Sequence, residues 1–146
     1  MANSDEVFAQ RVETLKRLSS ESGFKLTHQR LQVFDILSDA EDHSSAEQVF
    51  ERVRLKIPSI SFDTVYRTLE LFERYGIIAR FHQLDDRTRY DPNTQQHYHL
   101  VCARCKKITD VEWLALDELG IPRESEDWGT IESRHMELRG ICRDCL

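Results

Sequence analysis

The chain has 146 residues, 40% of them apolar, and a formal net charge of −6. That length allows one domain or two small ones, each with a small core, and no apolar run is long enough to cross a membrane. The acidic balance argues against nucleic-acid binding by the chain as a whole. The opening Met1-Ala2-Asn3-Ser4-Asp5 has no signal-peptide pattern, so the expected location is the cytoplasm.

The first half reads as helices. Phe8, Val12, Leu15 and Leu18 keep helical spacing, and Gly23 is a stop. Thr27 can cap a second helix carrying Leu31, Phe34 and Leu37. Ser45-Ala46-Glu47-Gln48 has the form of a capping box and opens a third helix, with Ala46, Val49, Phe50, Val53 and Ile57 on its apolar face. Pro58 breaks it. Ser61 can cap a fourth helix that buries Val65, Leu69 and Phe72 and ends before Gly76. Asp63 in its first turn suits the helix dipole.

The period then changes to two. Ile77, Ala79 and Phe81 alternate with Ile78, Arg80 and His82, Asp85-Asp86-Arg87 can turn, and Thr88-Arg89-Tyr90 can return. Helices followed by a hairpin describe a winged helix-turn-helix. Between Arg52 and Arg80 six basic residues stand against three acidic ones, so an acidic chain can still carry one basic face. On the fourth helix, Tyr66, Arg67 and Glu70 can face outward, and an exposed Arg near a helix start can reach a major groove. The plainer reading is an amphipathic surface helix.

Asp91-Pro92-Asn93-Thr94 looks like a hinge, which divides the chain into 1–91 and 92–146. The second part is strand-rich, with candidates at 97–103, 107–113 and 130–139. A helix within 114–128 is limited by Gly120 and Pro122. Three strands in so short a segment are small for independent stability, so pairing with a second chain is expected.

All four cysteines fall in two Cys-x-x-Cys pairs, Cys102/Cys105 and Cys142/Cys145. Two such knuckles make a closed tetrahedral Zn(II) site, and in the cytosol they favour metal over disulfides. The 36 residues between the pairs mean that the zinc joins distant segments. A redox dithiol or unrelated buried thiols are the alternative. Upstream, His97 and His99 are two apart on a strand candidate and face one side. Asp91 and Asp110 are nearby carboxylates, and His43 precedes the third helix. Spacing alone supports only the histidine pair as ligands, with solvated strand histidines as the plain alternative. His43 by itself reads as a loop histidine.

The motifs Leu26-Thr27-His28-Gln29-Arg30, His43-Ser44-Ser45-Ala46-Glu47, Thr64-Val65-Tyr66-Arg67-Thr68-Leu69, His97-Tyr98-His99-Leu100-Val101-Cys102 with Cys105-Lys106-Lys107-Ile108, and Gly140-Ile141-Cys142 run in order along the chain. In this the chain resembles the ferric uptake regulator family, from about residue 10 to 146. The resemblance implies an α+β protein, a homodimeric repressor that binds double-stranded operator DNA and is not an enzyme. Its winged-helix DNA-binding domain would be followed by a small α/β dimerisation domain stapled by zinc.

The resemblance puts the structural Zn(II) on Cys102, Cys105, Cys142 and Cys145. It puts a regulatory Fe(II) or Mn(II) on His43, Asp91, His97, His99 and Asp110. DNA contacts fall on Thr64, Tyr66, Arg67, Lys25 and Arg30. Asp91, where iron-sensing members usually carry Glu, resembles the peroxide-sensing PerR branch, in which bound iron leads to oxidation of a ligand histidine, here His43 or His97. The flanking positions Gln96, Tyr98 and Arg134 are poor ligands for a further metal, which fits the same branch. The alternatives are an iron- or zinc-responsive uptake repressor, a small non-haem iron enzyme, since two His and a carboxylate resemble a facial-triad site, and a zinc-stapled protein-interaction module.

Overall fold

The computed structural model describes residues 4–40, 43–82 and 87–146. It forms two compact units, Met1–Thr94 and Gln95–Leu146. Among the described residues no helix is long and apolar enough to cross a membrane.

The first unit begins with four helices, α1 (Ser4–Ser22), α2 (His28–Asp39), α3 (Ala46–Lys56) and α4 (Phe62–Arg74). Their starts are set by side-chain caps. Thr27 and Ser61 each accept from the backbone N–H three residues on, and Ser45 and Gln48 close a reciprocal capping box. Gly23 (φ +78°) and Gly76 (φ +68°) end α1 and α4 in the left-handed region that glycine tolerates. The faces predicted to be apolar meet in one core. Leu15, Val33, Val49, Val53, Val65, Leu69 and Phe72 are fully buried there. Phe72 is its centre, with ring centroids 6.0 Å from Phe34 and 6.2 Å from Phe24. At the rim, Asp35 of α2 pairs with Arg11 of α1 at 3.1 Å and with Lys56 of α3 at 3.2 Å.

An antiparallel hairpin completes this unit: β1 (Ala79–His82) and β2 (Thr88–Asp91), with Ala79 opposite Asp91. Helices plus hairpin form a winged helix-turn-helix. The strand starts later than alternation predicts. Ile77 and Ile78 are both buried, in a bend that packs two successive side chains on the core. Asp85 and Asp86 of the expected turn lie outside the described residues. Asp91 closes β2 and does not sit in the hinge loop.

The second unit is a three-stranded sheet in the order β4-β3-β5, from β3 (Tyr98–Cys102), β4 (Ile108–Val111) and β5 (Glu137–Gly140). β3 pairs antiparallel with β4 and parallel with β5. The strand expected over 130–139 is thus confined to its last few residues. The helix expected within 114–128 is reduced to α5 (Leu114–Asp117) and a 3-10 turn at Arg123–Ser125. Pro122, just before that turn, has no N–H to continue a helix.

Candidate metal centres

The first centre is built by two turns. After β3 the chain reverses at Lys106 (φ 64°), whose N–H bonds back to the Cys102 carbonyl at 3.0 Å. After β5 the chain enters the 3-10 turn Arg143–Cys145, in which the Cys145 N–H reaches the Cys142 carbonyl. Parallel pairing of β3 with β5, which sets Cys102 opposite Gly140, brings the two knuckles together. The four sulfurs lie within 4.8 Å of one another, and none is in a disulfide. Cys105 Sγ and Cys142 Sγ are 3.7 Å apart. Zn–S bonds of about 2.3 Å in a tetrahedron require an edge of roughly 3.8 Å, so the site fits Zn(II).

The thiols share protons unequally. The Cys142 N–H, 3.3 Å from Cys102 Sγ, holds the Cys102 thiol down at about 6. The neighbouring Cys142 sulfur pushes Cys145 up to about 12. A metal entering this site displaces protons.

Both units gather nitrogen and oxygen donors. In the first, the Tyr90 N–H bonds to the Ser44 carbonyl at 3.0 Å and Arg52 donates to Ser44 Oγ at 2.8 Å. The first bond ties the segment before α3 to β2, and the second ties it to α3 itself. His43 Nε2 consequently sits 3.1 Å from Asp91 Oδ2, with both side chains buried. The other Asp91 oxygen accepts from the Asn93 N–H at 2.8 Å, and the Phe81 ring packs edge-on against the imidazole.

In the second unit, β3–β4 register puts His99 directly opposite Asp110. His97 and His99 present Nε2 atoms 3.1 Å apart, and Asp110 Oδ1 lies 3.7 Å from the first and 3.5 Å from the second. His97 Nδ1 is 2.7 Å from the Gln95 carbonyl, which can only accept. The proton is therefore on Nδ1, and in the neutral ring the Nε2 lone pair points toward its neighbours. Two imidazoles and a carboxylate converging in this way suit a divalent cation of intermediate hardness.

On the face expected to meet DNA, Tyr66 and Arg67 of α4 are exposed. The Thr64 hydroxyl is 2.9 Å from Ser61 Oγ within the cap. Lys25 is exposed before α2, and Arg30 donates to the Lys25 carbonyl with its guanidinium over the Phe24 ring.

Sequence reasoning missed the supports of both nitrogen–oxygen clusters. Arg89 donates to Gln48 Oε1 at 2.8 Å, the oxygen that also closes the α3 capping box, so the cap is linked to the hairpin. Tyr98, buried between the two histidines in sequence, donates to Asp117 of α5 at 2.5 Å, and this bond raises its phenol pKa. Gln48 had a legible signal, the capping box itself. Asp117 had none.

The ferric uptake regulator family model matches residues 21–139. The chain belongs to this family. Among relatives of the family it is 32% identical over 125 residues to the peroxide-responsive repressor PerR of Staphylococcus epidermidis, covering 85% of this chain and 83% of that protein. Among solved structures it matches a zinc-bound manganese uptake regulator at 34% identity and TM-score 0.68, over 88% of this chain and 98% of the other. The Campylobacter jejuni peroxide stress regulator matches at 26% identity and TM-score 0.68, over 92% and 98%. The fold and the family of metal-responsive regulators are thus shared along nearly the whole chain.

Proposed function

We propose that this family member is a cytoplasmic, homodimeric, metal-dependent repressor of transcription that senses peroxide. The convergence of His97, His99 and Asp110 carries the reading, because it presents imidazole and carboxylate donors with no thiolate, a set suited to Fe(II) or Mn(II) and distinct from the all-sulfur zinc site. His43 and Asp91 complete the ligand set in this proposal. They belong to the first unit and the histidine pair to the second. Holding one ion in common restrains the intervening segment 92–94, so the binding free energy favours one arrangement of two recognition helices over the others. In that state Thr64, Tyr66 and Arg67 meet base edges, while Lys25 and Arg30 neutralise phosphates.

Iron held by these residues would mediate the reaction of peroxide with a ligand imidazole, which is itself the net two-electron reductant. The C–H between the two ring nitrogens of His43 or His97 would become C–OH with one peroxide oxygen, and the other oxygen would leave as water. The oxidised ring would be a poorer ligand, so the regulatory metal and then the DNA would be released. His43 is nearly enclosed and His97 is anchored through Nδ1, so both rings are held in place for a local oxidant. The peroxide regulators among its relatives support this reading.

The likeness to the manganese uptake regulator favours a second reading, a repressor that responds to metal supply alone. Both are regulators, and the family supports either over a small iron enzyme.

The deciding experiment loads the full chain with Fe(II) without oxygen, adds one equivalent of peroxide and maps the peptides by mass spectrometry beside a Mn(II) control. One added oxygen on the His43 or His97 peptide, in the iron sample alone, is expected. Unmodified histidines, with operator binding retained, would transfer the protein to the metal-uptake reading.

A further inference from the structure

We propose that Asp63 and Arg67 act as one unit that reads a single G·C base pair in each operator half-site. This rests on the DNA-binding reading of α4. The two residues are four apart on one face of that helix, and Arg67 Nε meets Asp63 Oδ2 at 2.9 Å. Both side chains are largely exposed, at 76% and 68%, while Val65, Thr68, Leu69 and Phe72 hold the opposite face in the core. An ion pair so open to water contributes little to stability, and the fold does not depend on it.

As a phosphate contact the pair makes poor sense. Asp63 cancels the charge that would attract phosphate and repels the backbone itself. The surface around it is also unlike a phosphate clamp. Phe62, 40% exposed, stacks on Tyr66 at 6.2 Å and meets the Phe50 ring edge-on at 5.6 Å, so an apolar shelf adjoins a charge-neutral pair. Apolar and neutral groups at a helix start suit base edges and thymine methyls.

The hydrogen-bonding order of the pair is selective. Because Asp63 engages Nε, the two Nη groups of Arg67 remain as donors beside Oδ1 of Asp63 as an acceptor. The unit therefore offers donor, donor, acceptor. The major-groove edge of a G·C pair offers acceptor at N7, acceptor at O6 and donor at the cytosine amine, which is the complement. An A·T pair offers acceptor, donor, acceptor, and sets its thymine oxygen against the Asp63 carboxylate. Asp63 thus both positions Arg67 and rejects the wrong pair, which is how specificity is gained at some loss of affinity.

The test is selection from a pool of random double-stranded oligonucleotides by the Mn(II)-loaded full chain, in parallel for the wild type, D63A, D63N and R67A. The wild type is expected to enrich a G·C pair at one position of each half-site, the position at which R67A loses discrimination. D63A and the isosteric D63N should lose about tenfold or more of the preference there. They should also bind non-cognate DNA more tightly, with a steeper salt dependence. Undiminished G·C preference in D63A and D63N, or an A·T pair at the position set by Arg67, overturns the pairing proposal alone. A wild type that enriches no sequence overturns the repressor reading with it.

Discussion

The two units of this chain are held together in opposite ways. In the first, the apolar faces of α1 to α4 meet in one core centred on Phe72, and the residues at its middle are fully buried. In the second, Tyr98, Val101, Ile108 and Leu116 are buried, while Trp113, Leu114, Leu119, Ile121, Trp128, Leu138 and Ile141 remain exposed. A sheet of three short strands that leaves so much apolar surface exposed within one chain cannot draw enough stability from its own core. The cysteine cluster joins the ends of β3 and β5. Where hydrophobic packing is this small, a metal staple is the expected source of the missing stability.

Removing zinc should have the largest effect, and on the second unit alone. Binding at a structural four-ligand site is worth on the order of 10 kcal/mol. Cys105→Ser, or chelation, should therefore abolish hydrogen-exchange protection along β3 and β4 while leaving α2 to α4 protected. Persistent protection of β3 in zinc-free protein would mean that the sheet stands without its staple.

Acid should act in the same direction. Cys102 is held at about 6, below its ordinary value of 9.0, so its thiolate contributes above that range and the contribution is lost as pH falls through about 6. Cys145 is raised to about 12 and must give up its proton to a metal, so zinc affinity should rise with pH. A pH titration of zinc release should show loss near and below pH 6.

A smaller effect is expected in the core of the first unit. Phe72→Ala leaves a cavity between Phe24 and Phe34 and should cost the first unit about 3–5 kcal/mol. Denaturant unfolding should show this, with zinc affinity unchanged. A matching loss of zinc affinity would show that the two units are not energetically separate. Ser45→Ala removes one half of the α3 capping box and should cost only about 1 kcal/mol. Its shift in the unfolding midpoint should be several-fold smaller than that of Phe72→Ala, and a comparable shift would assign the Gln48–Arg89 link a larger share of the stability.

Much of the first unit was legible because its signals are local. Caps act over three residues and helical faces repeat within four, so Thr27, Ser45 and Ser61 announced helix starts that tertiary packing had no reason to override. Where burial came from both sides, periodicity failed. Ile77 and Ile78 are buried together, and strand alternation is not the pattern there. In the second unit, Pro122 and Gly120 correctly limited the helix, whereas the strand expected over 130–139 is only the four-residue β5, because its length is set by where it pairs with β3.

By itself, the order of residues determined the α+β class, the family and the two cysteine knuckles, because a Cys-x-x-Cys turn needs only its own backbone to aim two sulfurs at one point. Tertiary structure alone decided which distant groups meet. His43 reaches Asp91 across 48 residues because Ser44 bonds to β2, and Asp110 stands opposite His99 because of one strand register. Such pairings depend on hydrogen bonds between segments far apart in the chain, and no local propensity encodes their register.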